Sequence, residues 1–321
     1  NKEGNNMESK TKNRKTRQQI EKMVERAFNG ISLALGDDAI RELKDGWFNA
    51  AYDVRLSDDK EVILKIAPPK DAEVKTYELN LMNTEVTTMR LVEQNPAIPV
   101  PKIYYFDTAR DLCDSDYFFM EKINGDNLEH VRASLSPEIL AQINQHIGVI
   151  IREINQFTGT YFGYDGNPAL RGDTWRETFL KIMGSILDDG IKKNADYFGF
   201  SVDEIRRIIQ KHAPSLDEIT TPYLVHWDAW SPNFFVKDGK VVGIIDFERA
   251  LWADPLLEAQ FREMSPETLK SYGKTTFTHP ETQRCHLYTL HVALILKTES
   301  YYRNYETDYI KNIATNMMIP A

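Results

Sequence analysis

The chain has 321 residues, 42% of them apolar, which is enough to bury a sizeable core in one large or two medium domains. Its two cysteines are too few for a disulfide scaffold and suit the reducing cytoplasm, where we expect the protein to reside. A formal net charge of −9 argues against nucleic-acid binding and leaves room for a cationic partner. Because the apolar runs are far shorter than the ~20 residues of a membrane span, no membrane association is expected.

The first third of the sequence reads as a strand-rich unit that contains one long helix. Apolar residues at helical spacing predict helices over 8–29 and 73–94. Alternating residues predict strands over 52–56 and 62–66, which a polar turn joins into a hairpin. Two further strands follow the proline-rich segment near residue 100, and the second of them leads into a glycine turn.

After about residue 127 the periodicity becomes mainly helical, apart from the segment around residue 230. The predicted helices cover 136–157, 173–196, 202–212, 255–272 and 280–318. The whole pattern predicts the α+β class, with a small β-rich lobe over 1–123 and a larger helical lobe over 124–321. We expect the boundary near 123–125, where strand gives way to helix.

One short segment concentrates polar side chains among aromatic residues. It reads LVHWDAWSPNFFV and places His226, Asp228 and Asn233 in the order H-x-D-x-x-x-x-N. By themselves Asp228 and Asn233 fit two interpretations: they cap a turn, or they are oxygen donors of an active site. For His226 we favour a structural role, in which the ring hydrogen-bonds to the backbone and holds the loop.

The residues that follow this segment strengthen the active-site interpretation. The Asp-Gly pair at 238–239 lies between apolar runs and predicts a two-residue hairpin turn. Counting back from that turn places Asn233 opposite Ile244, and alternation then puts Asp246 on the same face as Asn233. A carboxylate and a carboxamide in this arrangement suit Mg²⁺ that also binds water and phosphate oxygens. Asp228 would face the same space, where it could accept a hydroxyl proton or orient the attacking oxygen.

The segments HWDAWSPNFF and GIIDFERALWADP resemble the catalytic loop and the metal-binding segment of the aminoglycoside phosphotransferase family. Members of this family are small-molecule kinases with the protein-kinase fold, and choline kinases, homoserine kinases and macrolide phosphotransferases are relatives. The resemblance implies a bilobal protein-kinase-like fold for this chain. It also implies that Asp228 is the catalytic base and that Asn233 and Asp246 bind magnesium.

The resemblance extends through the first lobe. The segment VILKIAP is similar to the family's third strand, so Lys65 is expected to contact the α- and β-phosphates of the nucleotide. Within MNTEVTTMRLV, Glu85 is expected to pair with Lys65 and so to keep the positive charge of Lys65 aimed at the phosphates. The segment FFMEKINGDNL is similar to the family's entry to the interlobe hinge, where the backbone of Glu121 and Ile123 would hydrogen-bond the adenine.

The sequence departs from the kinase pattern at two places. A G-x-G-x-x-G loop is absent, since KDGWFNAAYDV has only Gly46, and Asn49 stands where family members often have an asparagine. We still expect Gly46 and Asn49 to contribute to the nucleotide site. The family usually has a histidine in the helix before FGY, whereas this chain has Asn155.

These features lead to the hypothesis of a small-molecule kinase. ATP, or GTP as an alternative, would bind between the lobes with Mg²⁺, and its γ-phosphate would pass to a hydroxyl of an aminoglycoside-like or other cationic compound. An amino alcohol, homoserine, a sugar or a macrolide stay open as the acceptor. A protein kinase is disfavoured because ADPLLE follows Asp246 within eight residues and leaves no activation loop. A nucleotide-binding pseudoenzyme that acts as a scaffold is the alternative from another class.

Two sets of side chains near the catalytic segment could receive the acceptor. The carboxylates are those of Glu248, Asp254, Glu258 and Glu263. The aromatic rings are those of Trp227, Trp230 and Trp252, for which core packing is the favoured use. They could instead receive an ammonium group or a bulky apolar antibiotic. The sequence leaves the identity of the acceptor and the oligomeric state open.

Overall fold

The computed structural model of the protein describes residues 11–44, 48–263 and 265–303, without the side chain of Glu263. Neither cysteine forms a disulfide, since Cys113 is buried and Cys285 is partly buried as free thiols. Within the described residues, no helix has both the length and the apolar character that a membrane crossing requires.

Backbone contacts divide the chain into two compact units, each built from two segments. The first unit combines the chain up to residue 73 with 101–123, and the second combines 74–100 with the chain from residue 124. Residues 74–100, which the sequence analysis assigns to the first lobe, therefore group with the second unit. The expected boundary near 123–125 coincides with the last crossing of the chain from one unit to the other.

The first unit contains a five-stranded antiparallel sheet. Its strands are β1 (Ile40–Leu43), β2 (Ala50–Arg55), β3 (Glu61–Ile66), β4 (Ile103–Asp107) and β5 (Tyr117–Glu121). They lie in the spatial order β1-β2-β3-β5-β4, and β2 and β3 form the predicted hairpin. Helix α1 (Arg17–Ala27) shares a core with this sheet, because Ile20, Met23 and Val24 are buried among apolar residues of the strands.

Helix α1 is shorter than the helix predicted over 8–29. The Thr16 hydroxyl accepts a hydrogen bond from the Gln19 N–H, and the Gln19 side chain accepts one from the Thr16 N–H. This capping box starts the helix after Thr16. The preceding residues are not helical, and the Lys15 N–H donates to the Tyr52 hydroxyl at 3.0 Å. The prediction is therefore wrong for the basic residues just before Thr16, which contact the sheet instead.

The second unit is mainly helical. Its helices are α2 (Leu81–Val92), α3 (Leu128–Val131), α4 (Pro137–Ile154), α5 (Trp175–Lys192), α6 (Val202–His212), α7 (Gln260–Glu263), α8 (Pro266–Tyr272) and α9 (His279–Arg303). Its strands are β6 (Asp126–Asn127), β7 (Phe162–Gly163), β8 (Arg171–Gly172), β9 (Tyr223–Val225), β10 (Phe234–Lys237), β11 (Lys240–Ile244) and β12 (Leu251–Ala253). These strands form small sheets with the orders β11-β10-β6 and β8-β7-β12-β9.

Most of the predicted helices of this unit are present. Helices α4, α5 and α6 match the predicted helices at 136–157, 173–196 and 202–212, with shorter ends for the first two. The helix predicted over 255–272 is instead a 3-10 turn followed by the two short helices α7 and α8. Helix α9 covers the described part of the helix predicted over 280–318, and the residues after 303 lie outside the description.

Helix α2 covers only part of the helix predicted over 73–94. A 3-10 turn at Thr76–Glu78 precedes it, and the Lys75 N–H donates to the Glu78 carboxylate at 2.9 Å. Asn80 then adopts a left-handed conformation with φ 55°, which separates this turn from the helix. The apolar spacing continues through both elements, so it does not reveal the break.

Helices α5 and α9 share the large core of the second unit. The indole N–H of Trp175 donates to the Tyr288 hydroxyl at 2.7 Å, and this hydroxyl donates to Asp254 at 2.7 Å. Arg284 also binds Asp254, at 2.9 Å. A buried polar chain thus connects both helices to the segment that follows β12, and this segment carries part of the candidate site.

Candidate active site

The loop after β9 carries the first part of the site. Within it Trp227 has φ 71°, a left-handed conformation that costs free energy for a bulky residue. The fully buried Glu258 holds the loop, because its carboxylate accepts hydrogen bonds from the N–H groups of His226 at 2.8 Å and Trp227 at 3.1 Å. The Asn155 amide donates to the same carboxylate at 3.1 Å. Three N–H donors on one buried carboxylate therefore fix the backbone next to Asp228.

His226 has the structural role that the sequence analysis favours. Its ring is fully buried against Phe247, with 4.3 Å between the ring centroids, and Nε2 lies 3.0 Å from the Ile245 carbonyl oxygen. Because a carbonyl only accepts, this geometry assigns the ring proton to Nε2. Burial lowers the pKa of His226 to about 4, so the ring is neutral near pH 7. The ring thus fastens the loop to the segment that follows β11.

Asp228 and Asn233 lie side by side. Asp228 is partly exposed and Asn233 is buried, and the Asn233 amide donates to the Asp228 main-chain carbonyl at 2.7 Å. The same nitrogen lies 3.4 Å from the Asp228 carboxylate. Burial raises the pKa of Asp228 to about 6, against the opposing effect of Arg249 and Arg262. The side chain is therefore ionised near pH 7, as a base must be, and the Asn233 Oδ1 is the atom left for a metal ion.

The hairpin of β10 and β11 differs from the predicted register by one residue. The turn pairs as predicted, but a bulge follows, and Phe234 rather than Asn233 lies opposite Ile244. The Asn233 carbonyl instead accepts a hydrogen bond from the Ile245 N–H at 3.1 Å. The predicted pairing of Asn233 with Ile244 is therefore wrong. Strand alternation then does not explain how Asp246 comes to face the site.

A change of backbone direction places Asp246. It leaves the hairpin in a left-handed conformation, with φ 69° and ψ 48°, at the start of the 3-10 turn Phe247–Arg249. This turn packs against α2, and one carboxylate oxygen each of Glu85, Asp246 and Glu248 lie within 4.8 Å of one another. From the sequence, Glu85 is expected to pair with Lys65 and Glu248 to meet the acceptor, so the cluster is not predicted. No local pattern connects α2 with a turn so much later in the chain.

The donor atoms of these residues fit a magnesium ion. The described cluster consists of carboxylates without histidine or cysteine, and the Asn233 carboxamide, whose oxygen is a further hard donor, lies beside Asp228. Mg²⁺ prefers such hard oxygen ligands and completes its shell with water and phosphate oxygens. The arrangement thus suits the ion that the sequence analysis expects, with Glu85 and Glu248 as additional carboxylates.

A buried network of charges adjoins the loop. The guanidinium of Arg249 lies 5.3 Å from the Trp227 ring centroid and 3.6 Å from the Glu299 carboxylate on α9. Lys75 and Arg303 also bind Glu299, at 3.3 Å and 2.6 Å. Although burial alone would raise it, Lys75, Arg249 and Arg303 lower the pKa of Glu299 to about 2. Sequence reasoning misses Arg249 and Glu299 because their contacts depend on the packing of α9.

The residues predicted to contact the nucleotide phosphates lie in the first unit. Lys65 is buried on β3, and its Nζ lies 5.8 Å from the Phe118 ring centroid. Asn49 is buried just before β2, and Gly46 lies outside the described residues. The nucleotide contacts of these residues stay predictions, as does the pairing of Lys65 with Glu85.

The residues predicted to hold the adenine follow one another at the end of β5. Glu121 is the last residue of the strand, and its N–H donates to the Lys102 carbonyl at 2.9 Å. Ile123 is partly buried two residues later. Their contacts to adenine also stay predictions.

The three tryptophans near the loop have different environments. Trp227 is 4% exposed and packs in the core, as favoured. The indole N–H of Trp252 donates to Asp165 at 3.1 Å. Trp230, by contrast, is 45% exposed. Of the three rings, Trp230 is therefore the one most open to a ligand.

The candidate acceptor carboxylates also divide. Asp254 is buried and bound to Arg284, and Glu258 holds the backbone of the loop, so both have structural roles. Glu248 belongs to the carboxylate cluster, and the Glu263 side chain lies outside the description. The suggestion that these residues line an acceptor cleft is therefore wrong for Asp254 and Glu258.

His291 on α9 is a buried histidine next to the loop. Its ring centroid lies 5.9 Å from that of Trp227 and 5.8 Å from that of Phe179. Neither ring nitrogen has a hydrogen-bond partner among the described residues. Burial, together with Arg262 and Arg249, lowers the pKa of His291 to about 3. The unfolded chain therefore binds the additional proton first, and this residue destabilises the fold as pH falls below about 6.5.

We expect His291→Phe to retain the stability of the wild type at about pH 7.5 and to exceed it clearly at about pH 5. The phenyl ring keeps the aromatic contacts. The substitution removes the imidazole, whose contribution to the free energy of unfolding changes by about 1.4 kcal/mol per pH unit. Urea unfolding of both proteins across this range measures the difference, with His279→Phe on the exposed start of α9 as the control. If His291→Phe changed the free energy of unfolding equally at both pH values, the lowered pKa of His291 would be contradicted.

Residues 39–259 match the family model of the Phosphotransferase enzyme family. The matched span contains the loop of Asp228 and Asn233, the hairpin and the turn that starts at Asp246. The chain belongs to the Phosphotransferase enzyme family. This membership confirms the predicted family and the predicted phosphotransferase class.

Solved aminoglycoside phosphotransferases have a similar fold. A thermostable mutant of aminoglycoside phosphotransferase APH(4)-Ia in its apo form matches with a TM-score of 0.62 and 17% identity, over 92% of this chain and 97% of that one. The streptomycin–ATP–APH(2″)-IIa ternary complex matches with a TM-score of 0.61 and 15% identity, over 95% and 97%. At this identity the likeness shows the fold alone, and it confirms the predicted α+β, protein-kinase-like class.

Curated relatives match over shorter spans. A subtelomeric hrmA-associated cluster protein of Aspergillus fumigatus is 28% identical over 127 residues, which is 39% of this chain and 24% of the relative. The altered inheritance of mitochondria protein 9 of Meyerozyma guilliermondii is 27% identical over 158 residues, 43% of this chain and 25% of the relative. The matches thus span about a quarter of the length of these relatives.

Proposed function

We propose that the protein transfers the γ-phosphate of ATP to a hydroxyl group of a small molecule. The arrangement of side chains in the second unit supports this proposal. Asp228 is partly exposed and lies beside Asn233, and the turn that starts at Asp246 brings Asp246 and Glu248 close to Glu85 on α2. Membership of the phosphotransferase family supports it. The nucleotide in the streptomycin–ATP complex of a structural relative supports ATP as the donor.

In this proposal Asp228 acts on the acceptor. Its carboxylate accepts the proton of the hydroxyl, or orients that hydroxyl toward the γ-phosphorus, and its ionised state near pH 7 suits either role. Asn233 and Asp246 would hold Mg²⁺, which when bound neutralises charge on the phosphates. Lys65 would contact the phosphates as the resemblance implies. Most of the acceleration would come from positioning and from charge neutralisation rather than from a covalent intermediate.

Several chemical classes of hydroxyl compound could serve as the acceptor. Structural relatives were solved with streptomycin, hygromycin B and kanamycin, which supports a polyhydroxyl small molecule. An amino alcohol, homoserine, a sugar or a macrolide are further acceptors for the same machinery. An acidic chain suits a cationic compound, although overall charge does not select one.

A transfer assay with labelled ATP and Mg²⁺ tests the function. The acceptor panel contains aminoglycosides, macrolides, choline, ethanolamine, homoserine and simple sugars, and Asp228→Asn is run beside the wild type. We expect labelled product with at least one acceptor, and its loss in the variant. Hydrolysis or transfer that is equal in both proteins would contradict the role of Asp228. ATP binding without transfer to any acceptor would favour a binding protein.

We expect Asp246→Asn to weaken Mg-ATP binding by at least about tenfold, because one anionic oxygen ligand is lost. Asparagine tolerates the left-handed backbone at this position, so the fold is retained. Titration calorimetry with Mg-ATP measures the change. Asp238→Asn is the matched control, since Asp238 is also left-handed but lies at the hairpin turn. Wild-type affinity in Asp246→Asn would argue against the metal role.

A further inference from the structure

A cavity of about 320 Å³ lies beside the catalytic loop, within the second unit. Leu128, Ile147 and Phe234 form its apolar wall, and each is at most 5% exposed. Trp230 also lines the cavity, and it comes two residues after Asp228 in the loop. None of the roles proposed above uses this space.

Trp230 offers the cavity an unusually open aromatic ring. It is 45% exposed, whereas Trp227 in the same loop is 4% exposed. An indole ring in contact with water leaves a large apolar area, and covering this area with a ligand is favourable. A flat ring stacked on Trp230 would cover that area and would add the specific attraction between aromatic rings. The cavity therefore favours a ligand with an aromatic or similarly flat apolar group.

Gln260 supplies a polar group of defined direction. It lines the cavity and is 4% exposed, and its amide nitrogen donates a short hydrogen bond to the Ala229 carbonyl. The amide cannot be turned over, because its oxygen would then face a carbonyl that only accepts. In this orientation Oε1 has no hydrogen-bond partner among the described residues. A buried acceptor without a partner costs free energy, and a ligand donor that reaches Oε1 would offset this cost.

The described lining of the cavity includes a positive side chain. Arg132 is exposed at the cavity, and no aspartate or glutamate is among the described residues that line it. The nearby Glu129 accepts a short hydrogen bond from the Ser231 hydroxyl. An ammonium group placed beside Arg132 would be repelled by it, so this side of the cavity suits an uncharged group better. This differs from the cationic acceptor that the net charge of the chain suggests.

We propose that the cavity binds the non-reacting part of the phosphate acceptor, and that this part is a flat aromatic group with an N–H or O–H donor. The proposal rests on the proposed function, since it assigns the cavity to the acceptor of that reaction. The acceptor would stack on Trp230, donate to Gln260 and extend its hydroxyl toward Asp228. The compound is thus an aromatic alcohol or amide alcohol rather than a polyamine sugar.

Two matched alcohols test the proposal. N-(2-hydroxyethyl)benzamide has the ring, the N–H donor and the hydroxyl, and N-(2-hydroxyethyl)acetamide lacks only the ring. Saturation-transfer NMR on the full chain with Mg-ADP measures binding, and transfer from labelled ATP is followed separately. We expect the benzamide to bind more tightly than the acetamide, and Trp230→Ala to remove about tenfold of that preference. Asn144→Trp should also reduce this preference, because the larger side chain would take up space in the cavity that Asn144 lines from α4. This substitution leaves the loop sequence intact.

The control is Phe200→Ala, which removes a ring of matching exposure, 47%, away from the cavity lining. It should leave the ring preference unchanged. If Trp230→Ala and Asn144→Trp also leave it unchanged, the cavity proposal is overturned, while transfer to other acceptors would leave the proposed function intact. If the ring preference is present but no alcohol is ever phosphorylated, the proposed function fails and the assignment of the cavity to an acceptor fails with it.

Discussion

Asp228→Asn is expected to lower phosphoryl transfer by about 10²–10⁴-fold while Mg-ATP affinity changes by no more than a few-fold. The reason is the separation of roles within the site. The Asn233 amide donates to the main-chain carbonyl of residue 228, and this bond survives the substitution. An asparagine side chain keeps the size of the aspartate but does not accept the hydroxyl proton. The carboxylates around Asp246 are left unchanged.

Single-turnover kinetics and Mg-ATP titration on the same preparation separate these two effects. Asp217→Asn is the matched control, because Asp217 is an exposed aspartate that binds Arg176 on the surface of the same unit. It should transfer phosphate at the wild-type rate. A transfer rate within about tenfold of wild type in Asp228→Asn would exclude its role as the base.

Glu258→Ala is expected to lower the free energy of unfolding by roughly 3–5 kcal/mol. The carboxylate accepts hydrogen bonds from two backbone N–H groups and from the Asn155 amide, and it is fully buried. Alanine leaves these donors without a partner and creates a cavity beside them. The substitution also frees Trp227, whose left-handed backbone is held in place by one of these bonds.

Urea unfolding of the isolated variant measures this loss. Glu258→Gln keeps one acceptor oxygen and should fall between the wild type and Glu258→Ala. Glu138→Ala, at an exposed position in the first turn of α4, serves as the control and should cost less than about 1 kcal/mol. Equal stability of Glu258→Ala and Glu138→Ala would show that the carboxylate does not support the loop.

The candidate site was predictable where local patterns decide the structure. The Asp-Gly turn at 238–239 specifies a hairpin by its backbone requirements, and the spacing of Asp228 and Asn233 within one loop makes their contact a local matter. The family resemblance then assigns roles to Asp228, Asn233 and Asp246. These parts of the site follow from short stretches of sequence that carry their own structural signals.

The remaining parts depend on packing between distant segments. Nothing in the strand pattern predicts the bulge of the hairpin. Because of this bulge, the Asn233 carbonyl accepts a hydrogen bond from Ile245, and Asn233 does not pair with Ile244. Glu258 can hold the loop only because the segment after β12 packs against the loop backbone. Asn155 can bind Glu258 only because the end of α4 packs against that segment. The family's usual histidine before FGY is replaced here by Asn155, and the structure shows this amide bound to Glu258.

The order of segments in the second unit has a consequence for how the protein folds on the ribosome. Residues 74–100 are synthesised early, yet Lys75 and Glu78 bind Glu299 and Arg303 on α9, more than two hundred positions later. Helix α2, with its buried apolar side chains, must therefore wait for most of the chain to emerge. Such long-range closure is slow and exposes apolar surface meanwhile. The segment that carries Glu85 thus exposes apolar surface until the turn at Phe247–Arg249, against which it packs, has been synthesised.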